Sequence, residues 1–150
     1  MKAAINIAKK GMDNNAGGPF GCVVVQDGKI IARAYNSVHS LNDPTAHAEV
    51  VAIRKACKKL KTFQLSGCII YASSEPCPMC LGAIYWARPS HVYFSSTKAD
   101  AADAGFDDDF IYHQADVDPF ARKIPFERYE LPEGSKVLEE WKLKPDKIRY

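Results

Sequence analysis

The sequence predicts a layered α/β domain around a mixed central sheet of about five strands. Three observations indicate this class. Asp27-Gly28 separates two apolar runs, which is the strongest short signal for a β-hairpin. After the hairpin, helical and strand patterns alternate, as they do where crossover helices join parallel strands. The chain of 150 residues also falls in the size range of a single domain with one core.

The elements of the first part follow from local patterns. Residues 2–14 place apolar side chains along one side of a helix, and the Asn- and Gly-rich run 14–19 ends it. The Val-rich residues 20–26 predict a strand, and residues 29–35 predict the return strand of the hairpin. Residues 36–44 are predicted to form a polar loop.

The remaining elements alternate after this loop. Helix, strand, helix and strand are predicted over residues 46–60, 68–73, 76–86 and 91–95. Asn42 and Pro44 mark the start of the first of these helices, and Pro89 follows the end of the second. Beyond residue 96 the patterns weaken, and they predict a short helix, a strand and a final helix over residues 99–104, 124–131 and 134–144.

Composition and charge narrow the classes of function. The net charge of +2 gives no argument for a polyanionic partner, and residues 98–118 carry seven Asp against one Lys, which would repel a phosphate backbone. No apolar run approaches the roughly 20 residues of a membrane span. Residues 1–12 lack the pattern of a signal peptide. These features predict a cytoplasmic protein with no membrane partner.

The five cysteines, at positions 22, 57, 68, 77 and 80, are an odd number without the dense spacing of a disulfide scaffold. In a reducing compartment, a close cysteine pair with a histidine elsewhere is more often a metal site than a bridge. The cysteine pattern therefore favours metal binding.

Two short motifs carry metal chemistry, H-A-E at residues 47–49 and P-C-P-M-C at residues 76–80, each at the predicted start of a helix. Cys77 and Cys80 are three apart, so both sulfurs can face one ion beyond the helix tip, where the positive helix end favours the thiolate. His47 would be the third ligand. This ligand set favours zinc over magnesium or calcium, and three protein ligands leave one position for a water, as in catalytic sites.

Glu49 lies two residues from the predicted histidine ligand and can reach that water from the same turn. A carboxylate there can take a proton from the water and deliver it to a departing nitrogen. The combination H-x-E with P-C-x-x-C is the signature of zinc nucleobase deaminases. The alternative is a structural zinc on Cys77 and Cys80, completed by Cys57 or Cys68, which would leave Glu49 without a role.

Four segments that surround these motifs have a recognisable pattern, and together they cover most of residues 17–114. They are residues 18–21 (GPFG), 42–56 (NDPTAHAEVVAIRKA), 75–89 (EPCPMCLGAIYWARP) and 101–112 (AADAGFDDDFIY). The chain resembles the cytidine deaminase-like superfamily, and within it the bacterial guanine deaminases. The zinc motif is shared by the whole superfamily, whereas the GFDD segment and the stretch with Trp86 point to the guanine branch. The resemblance implies a three-layer α/β/α fold.

The resemblance also implies roles in catalysis. His47, Cys77 and Cys80 would hold one catalytic zinc per subunit, and Glu49 would shuttle protons. Asp108 would match a second acidic residue near the purine and would assist proton transfer to the leaving ammonia.

For the substrate, the resemblance implies that Asn36 and the backbone at Ala48 hydrogen-bond the base, while Phe20 and Trp86 wall the pocket. It further implies a homodimer in which the C-terminal segment, about residues 115–150, is swapped between subunits. Tyr150 would then close the partner's site.

The residues alone leave simpler interpretations open. Asn36 at a strand end is as consistent with a turn cap as with a ligand contact. Residues 107–109 would ordinarily form a solvated acidic loop, and Phe20 and Trp86 would ordinarily pack in the core. Tyr150 would ordinarily be a frayed terminus.

The expected reaction is hydrolysis of guanine to xanthine and ammonia, a step of purine catabolism, with a small purine base as partner. The nearest alternative is a tRNA adenosine deaminase, which needs a basic surface and a flipped nucleotide. The acidic residues of 98–118 argue against nucleic acid, although five of the last fifteen residues are Lys or Arg. Another aminated base or nucleoside, or a non-catalytic zinc-stabilised binding module, are the further alternatives.

Overall fold

The first of two compact units, Met1–Asp109, is built on a four-stranded sheet. The structure, a computed structural model, describes residues 1–149. The strands are β1 (Gly21–Gln26), β2 (Lys29–Tyr35), β3 (Cys68–Ser74) and β4 (His91–Ser96), in the order β2-β1-β3-β4. β1 runs antiparallel to both β2 and β3, and β4 is parallel to β3. The predicted mixed sheet is confirmed, with four strands in place of about five.

The hairpin that joins β1 and β2 turns at Asp27 and Gly28, whose φ angles are 50° and 73°. Two consecutive positive φ angles are the requirement of the tight turn that matches strand twist, and Asp-Gly meets it at low cost. Next to the turn, Gln26 of β1 pairs with Lys29 of β2, and at the other end of the hairpin Gly21 pairs with Tyr35. The pairing shifts once, between Val24 and Val25.

Helices cover both faces of the sheet. Strand side chains alternate between faces, and on β1 Cys22 and Val24 pack with α3 (Ala48–Leu60) and α4 (Pro78–Ala87) in the main core cluster. The intervening Gly21 lies against α1 (Lys2–Asp13) on the other face, where an added Cβ would be 2.3 Å from the Ala4 carbonyl oxygen. The three-layer α/β/α arrangement predicted from the sequence is therefore confirmed.

Alanine dominates the contact between helices and sheet. On α3, Ala48, Ala52 and Ala56 are each 0% exposed and line the side that meets the sheet. On α1 the corresponding positions are Ala4 and Ala8. Small side chains on the inner faces allow the helix backbones to lie close to the strands.

The predicted helices and strands of residues 1–96 are present with bounds that differ by a few residues. The polar loop predicted over residues 36–44 contains one short helix, α2 (Val38–Leu41). The short helix predicted at 99–104 is α5 (Lys98–Asp103), which begins with a capping box between Thr97 and Asp100. In that box each side chain accepts a hydrogen bond from the other residue's backbone N–H.

The second unit begins at Phe110. Its helices are α6 (Asp109–Asp116), which starts on the last residue of the first unit, a 3-10 turn (Pro119–Ala121) and α7 (Pro132–Leu143). α7 confirms the predicted final helix, and α6 was missed. No residue among 110–149 is buried.

The predicted strand over residues 124–131 is wrong, because those residues have no helix or strand conformation. Their alternation of apolar and polar side chains resembles a strand pattern, yet Ile124, Phe126 and Tyr129 are all more than half exposed. A strand needs a neighbour for its backbone hydrogen bonds, and in the described part of the chain this segment has none.

Within residues 1–149, no helix has both the length and the apolar character that crossing a membrane requires.

Candidate zinc site and base-sized cavity

The metal-binding side chains come from the starts of α3 and α4. His47 is the N-cap of α3, and Cys77 is the N-cap of α4 with Pro78 in the first helical position. Cys80 lies in the first turn of α4, and its backbone N–H donates to the Cys77 sulfur at 3.5 Å. The sulfur of Cys77 thus fills the role that an oxygen usually has at a helix N-cap, and the cap holds both sulfurs at the same helix end.

The loop before α3 holds His47 in place through short hydrogen bonds. The Asp43 carboxylate accepts from the Thr45 backbone N–H at 2.8 Å and from its hydroxyl at 2.7 Å. These bonds lower the pKa of Asp43, the Thr45 hydroxyl having the largest effect. Backbone bonds from Ala46 to Asp43 and from His47 to Thr45 continue the turn.

The three ligand atoms lie within 4.8 Å of one another. The Nδ1 atom of His47 is 3.5 Å from each sulfur, of Cys77 and of Cys80. A tetrahedral zinc with bonds of about 2.0 Å to nitrogen and about 2.3 Å to sulfur separates such atoms by about 3.5 Å. The donor set and its spacing therefore fit one zinc ion.

The protonation of the two thiols differs. The pKa of Cys77 is lowered to about 4, first by the hydrogen bond with the Cys80 thiol and also by His47. The pKa of Cys80 is raised, first by that hydrogen bond and then by burial. The pKa of His47 is raised, chiefly by its hydrogen bond with Cys77. The cluster thus provides a thiolate at Cys77, and the thiolate is the form of cysteine that binds metal.

Glu49 adjoins this cluster. Its side chain is 5% exposed, and its Oε2 atom accepts from the Cys80 thiol at 3.3 Å. Burial is the main reason that the pKa of Glu49 is raised. A raised pKa brings the titration of a carboxyl closer to neutral pH, which suits a general acid and base.

A cavity of about 330 Å³ opens beside the cluster. Of the residues predicted to contact substrate, Phe20 and Asn36 line it, together with His47, Glu49 and Asp108. Asn36 is 5% exposed, and its Oδ1 atom accepts from the Val38 backbone N–H at 3.2 Å. Asn36 therefore caps a turn and also contacts the cavity, so both interpretations of this residue hold.

Among the three consecutive acidic residues, only Asp108 is half-buried, and it lines the cavity together with Asp107. The pKa of Asp108 is raised, mainly by its partial removal from water and next by the charge of Cys77. Asp109 lies outside the cavity lining, and its backbone N–H donates to the Asp107 carboxylate at 2.9 Å.

Among residues 1–149, two of the predicted contact residues are not in the cavity lining. Trp86 lies on α4 with 66% of its surface exposed and is not among the residues that line the cavity. Its position follows from the helix period, because α4 turns Cys80, Ile84 and Ala87 inward. Ala48 is fully buried as the first residue of α3. Tyr150 lies outside the described residues.

Sequence reasoning missed several residues that line the cavity, among them Val38, His39, Pro44, Glu75, Lys98 and Phe106. They lie in loops or in the short helices α2 and α5, where the sequence carries no long periodic pattern that would select them. Phe106 lies in the GFDD segment that the resemblance singled out, and Glu75 directly precedes the P-C-x-x-C motif. Both residues are thus adjacent in sequence to predicted site residues, and this closeness to the motifs is the feature of the sequence that could have identified them.

Comparison with known proteins agrees with this geometry. Residues 1–96 match the family described as the cytidine and deoxycytidylate deaminase zinc-binding region. Guanine deaminase of Bacillus subtilis (strain 168) is 52% identical over 150 residues, covering 100% of this chain and 96% of that protein. The tRNA-specific adenosine deaminase of Aquifex aeolicus (strain VF5) is 37% identical over 141 residues, covering 94% of this chain and 90% of that protein.

Solved structures extend the similarity to the fold. The X-ray structure of guanine deaminase from Bacillus subtilis has a TM-score of 0.97 at 52% identity, covering 99% of this chain and 95% of that one. A structure of guanine deaminase from Nitrosomonas europaea has a TM-score of 0.67 at 30% identity, covering 70% of this chain and 61% of that one.

Proposed function

The chain belongs to the cytidine and deoxycytidylate deaminase zinc-binding family, and we propose that it hydrolyses guanine to xanthine and ammonia. The resemblance identified from the motifs is confirmed. One observation carries the proposal: Glu49 and Asp108 line the same cavity as the His47, Cys77 and Cys80 cluster. The choice of guanine is supported by the full-length similarity to guanine deaminase of Bacillus subtilis.

The protein groups divide the work of the reaction. Zinc held by the three ligands would make a water molecule acidic enough to react near neutral pH. Glu49 accepts the proton that this water gives up. As the new C–O bond forms at C2 of guanine, that carbon becomes tetrahedral, and Glu49 returns a proton to the purine. The new hydroxyl on C2 then gives up its proton and the amino nitrogen gains one. The C2–N bond breaks, so that ammonia leaves and the C2 carbonyl of xanthine forms.

Asp108 assists at the last step. The carboxyl lies in the lining of the same cavity as the cluster, and its pKa is raised, chiefly by partial removal from water. A carboxyl of raised pKa keeps a proton at higher pH, which suits a group that donates to a departing amine.

The base would be held by its polar edge. Asn36 uses its Oδ1 atom on the Val38 backbone N–H, which leaves its amide NH₂ as the donor available to a base. Ala48 is the first residue of α3, and a backbone N–H in the first helical turn has no partner within the helix. We assign both groups to acceptors on the purine edge and Phe20 to the face of the ring, as its place in the cavity lining supports.

We also propose that the protein is a homodimer in which residues from about 115 onward dock on the partner subunit, with Tyr150 reaching the partner's site. The support is the exposure of apolar side chains in α7, where Val137, Leu138 and Trp141 are 62%, 64% and 42% exposed. Helix faces of this kind are normally covered. Trp86 is likewise exposed, on α4, and we place it among the residues that contact the partner subunit.

The cytoplasm is the proposed location. All five cysteines are free thiols, and a zinc site that depends on two of them requires a compartment that keeps thiols reduced.

The test is ammonia release by purified, zinc-loaded protein offered guanine, adenine, cytosine, guanosine and tRNA in parallel. We expect release from guanine, with xanthine as the second product. Release from tRNA alone would overturn the proposal in favour of a tRNA adenosine deaminase, the activity named for the Aquifex aeolicus relative. Release from cytosine alone would overturn it in favour of a pyrimidine deaminase.

A further inference from the structure

A second cavity adjoins the catalytic cavity in the first unit. The catalytic cavity measures about 330 Å³ and the second about 390 Å³. Phe20, Ser74, Ala101 and Phe106 contact both, so these four residues form the wall between them. Two of the four are aromatic, and their rings are the largest groups in that wall.

The two rings pack against each other in a defined geometry. Their centroids are 4.9 Å apart and their planes are inclined by 83°, which is the edge-to-face arrangement that aromatic pairs prefer. The backbone of Phe106 is fixed by a hydrogen bond from its N–H to the Ala101 carbonyl at 2.9 Å. The ring contact with Phe20 and this backbone bond thus fix the position of Phe106, although 43% of the residue is exposed.

Gly18 makes room for this pair. A Cβ atom added at Gly18 would lie 3.0 Å from Cε1 of Phe106 and 3.0 Å from two ring carbons of Phe20. That separation is tighter than nine in ten real Cβ contacts, so a side chain at position 18 would displace at least one ring by a few tenths of an ångström. The absence of a side chain there allows both rings to stand in the wall.

The second cavity has a lining that suits a hydroxylated group. Ser73, Ser95, Ser96 and Asp100 provide its polar side, and Lys9 lies at the same cavity. Its other side is apolar and comes mainly from α1, including Ile5 and Met12. Hydroxyl and carboxylate groups of this kind can pair with the hydroxyls of a sugar.

The catalytic cavity alone is at the lower end of the range of about 300 to 1,000 Å³ usual for small-molecule sites. A planar base can occupy this cavity alone, and a ribose attached to the base would have to pass the wall that contains Phe20 and Phe106 to reach the hydroxyl-lined second cavity. We propose that Phe106 is a specificity-determining residue which, packed on Phe20 over Gly18, closes the base slot and excludes purine ribosides. Removal of its ring joins the slot to the second cavity, where the ribose then fits. This inference rests on the proposed function and deepens it.

The test compares kcat/KM for guanosine with kcat/KM for guanine in the wild-type enzyme and in Phe106→Ala. We expect the guanosine-to-guanine ratio to rise by about tenfold or more in Phe106→Ala, the size of effect that pocket volume gives in enzymes. Phe106→Leu keeps most of the bulk and should keep the wild-type ratio. Phe63→Ala removes the same group from an exposed site that lines neither cavity and should also keep it.

A second variant probes the same wall from the other side. Gly18→Ala should raise KM for guanine, because the displaced Phe106 ring narrows the slot. In the double variant Gly18→Ala, Phe106→Ala this increase should shrink, since the ring that is pushed has been removed. If Gly18→Ala raised KM for guanine equally with and without the Phe106 ring, the effect of Gly18→Ala would not depend on displacing that ring, which would contradict the proposed contact.

Each outcome is decisive. An unchanged or lower ratio in Phe106→Ala, with guanine turnover retained, overturns the proposal. Loss of turnover on both substrates with zinc still bound also overturns it, because Phe106 would then position Asp108 and not limit size. If the wild-type enzyme deaminates another base, the proposed function fails by itself, and the same ratio is measured with that base and its riboside.

Discussion

Glu49 lies directly beside a predicted zinc ligand, with its Oε2 atom 3.3 Å from the Cys80 sulfur. The carboxyl is 5% exposed, so few water molecules compete for its proton. Its position two residues after His47, at the start of α3, follows from the H-x-E motif. Catalysis therefore depends on one carboxyl whose place is fixed by the helix start that also carries a metal ligand.

Replacing Glu49 with Ala should lower kcat by about 10²-fold to 10⁴-fold, the usual contribution of a general acid and base. Zinc should stay bound, because the three ligands are unchanged. The measurements are steady-state kinetics on guanine and zinc content per subunit. Unchanged turnover would remove Glu49 from the mechanism, and retained ligand affinity without any wild-type turnover would favour a binding module.

Replacing Asp108 with Asn should lower kcat for guanine by at least about tenfold. The amide keeps the shape of the carboxyl but cannot give up the proton. Asp109→Asn is the matched control, because Asp109 lies outside the cavity lining and should leave kcat within about twofold. An equal loss in both variants would mean that the acidic segment acts by its overall charge.

At the scale of helices and strands, local sequence patterns correctly predicted the elements whose apolar residues recur with a helix or strand period. The hairpin at Asp27-Gly28, the helix α3 and the zinc motifs at two helix starts all follow from short stretches of sequence. The segment 124–131 has a strand pattern but no neighbouring strand in the described chain. Pairing is a tertiary property that a local alternation does not contain.

The side chains that line the cavity show the same limit. Glu75 and Phe106 lie 31 residues apart in sequence and both line the cavity. The backbone N–H of Lys98, at the start of α5, donates to the Glu75 carboxylate at 3.0 Å, which links the strand end before Cys77 to α5. Such contacts between loops depend on the completed sheet, so no periodic pattern of the sequence could have selected them.

The start of α5 provides a test at this scale. The Thr97 hydroxyl accepts from the Asp100 backbone N–H at 3.2 Å. Thr97→Ala should lower the free energy of unfolding by about 1 kcal/mol, the usual cost of losing an N-cap. Urea unfolding measures the change. Ser135→Ala, an exposed change within α7, should alter it by less than about 0.5 kcal/mol, and an equal loss would argue against the cap.

For the whole molecule, the zinc site joins two helix starts that lie on the same side of the sheet. His47 is 30 residues from Cys77 and 33 from Cys80. A metal that binds only the folded chain stabilises it by about 2.7 kcal/mol when free zinc is 100 times its Kd. The fold should therefore be more stable with zinc than without it.

Chelation should accordingly lower Tm of the wild-type protein, as measured by calorimetry before and after treatment. Cys77→Ser should abolish most of this difference, because it removes a ligand. Cys57→Ser should retain it, since Cys57 is not among the clustered ligands. Loss of the difference in Cys57→Ser would support the structural zinc site instead.

Assembly is tested by sedimentation equilibrium. The chain has a mass of 16.6 kDa, and for the proposed dimer the experiment should give twice that mass. Leu138→Asp should shift the protein toward monomer, because a charge would be buried in an apolar contact. Lys136→Asp introduces the same group on the same helix without removing an apolar side chain and should remain dimeric. A monomeric wild-type protein would contradict the proposal.

The alanines between helices and sheet have a consequence for laboratory evolution. Consider a library that varies Ala48, Ala52 and Ala56, which are all 0% exposed. After selection for activity, the variants that remain should carry mainly alanine, glycine or serine at these positions. Any larger side chain would have to move a whole helix, and one end of that helix holds a metal ligand. Enlarged residues there would damage activity and stability together. Thermostable variants should therefore be sought on exposed helix faces, where a substitution can be accommodated without displacing His47.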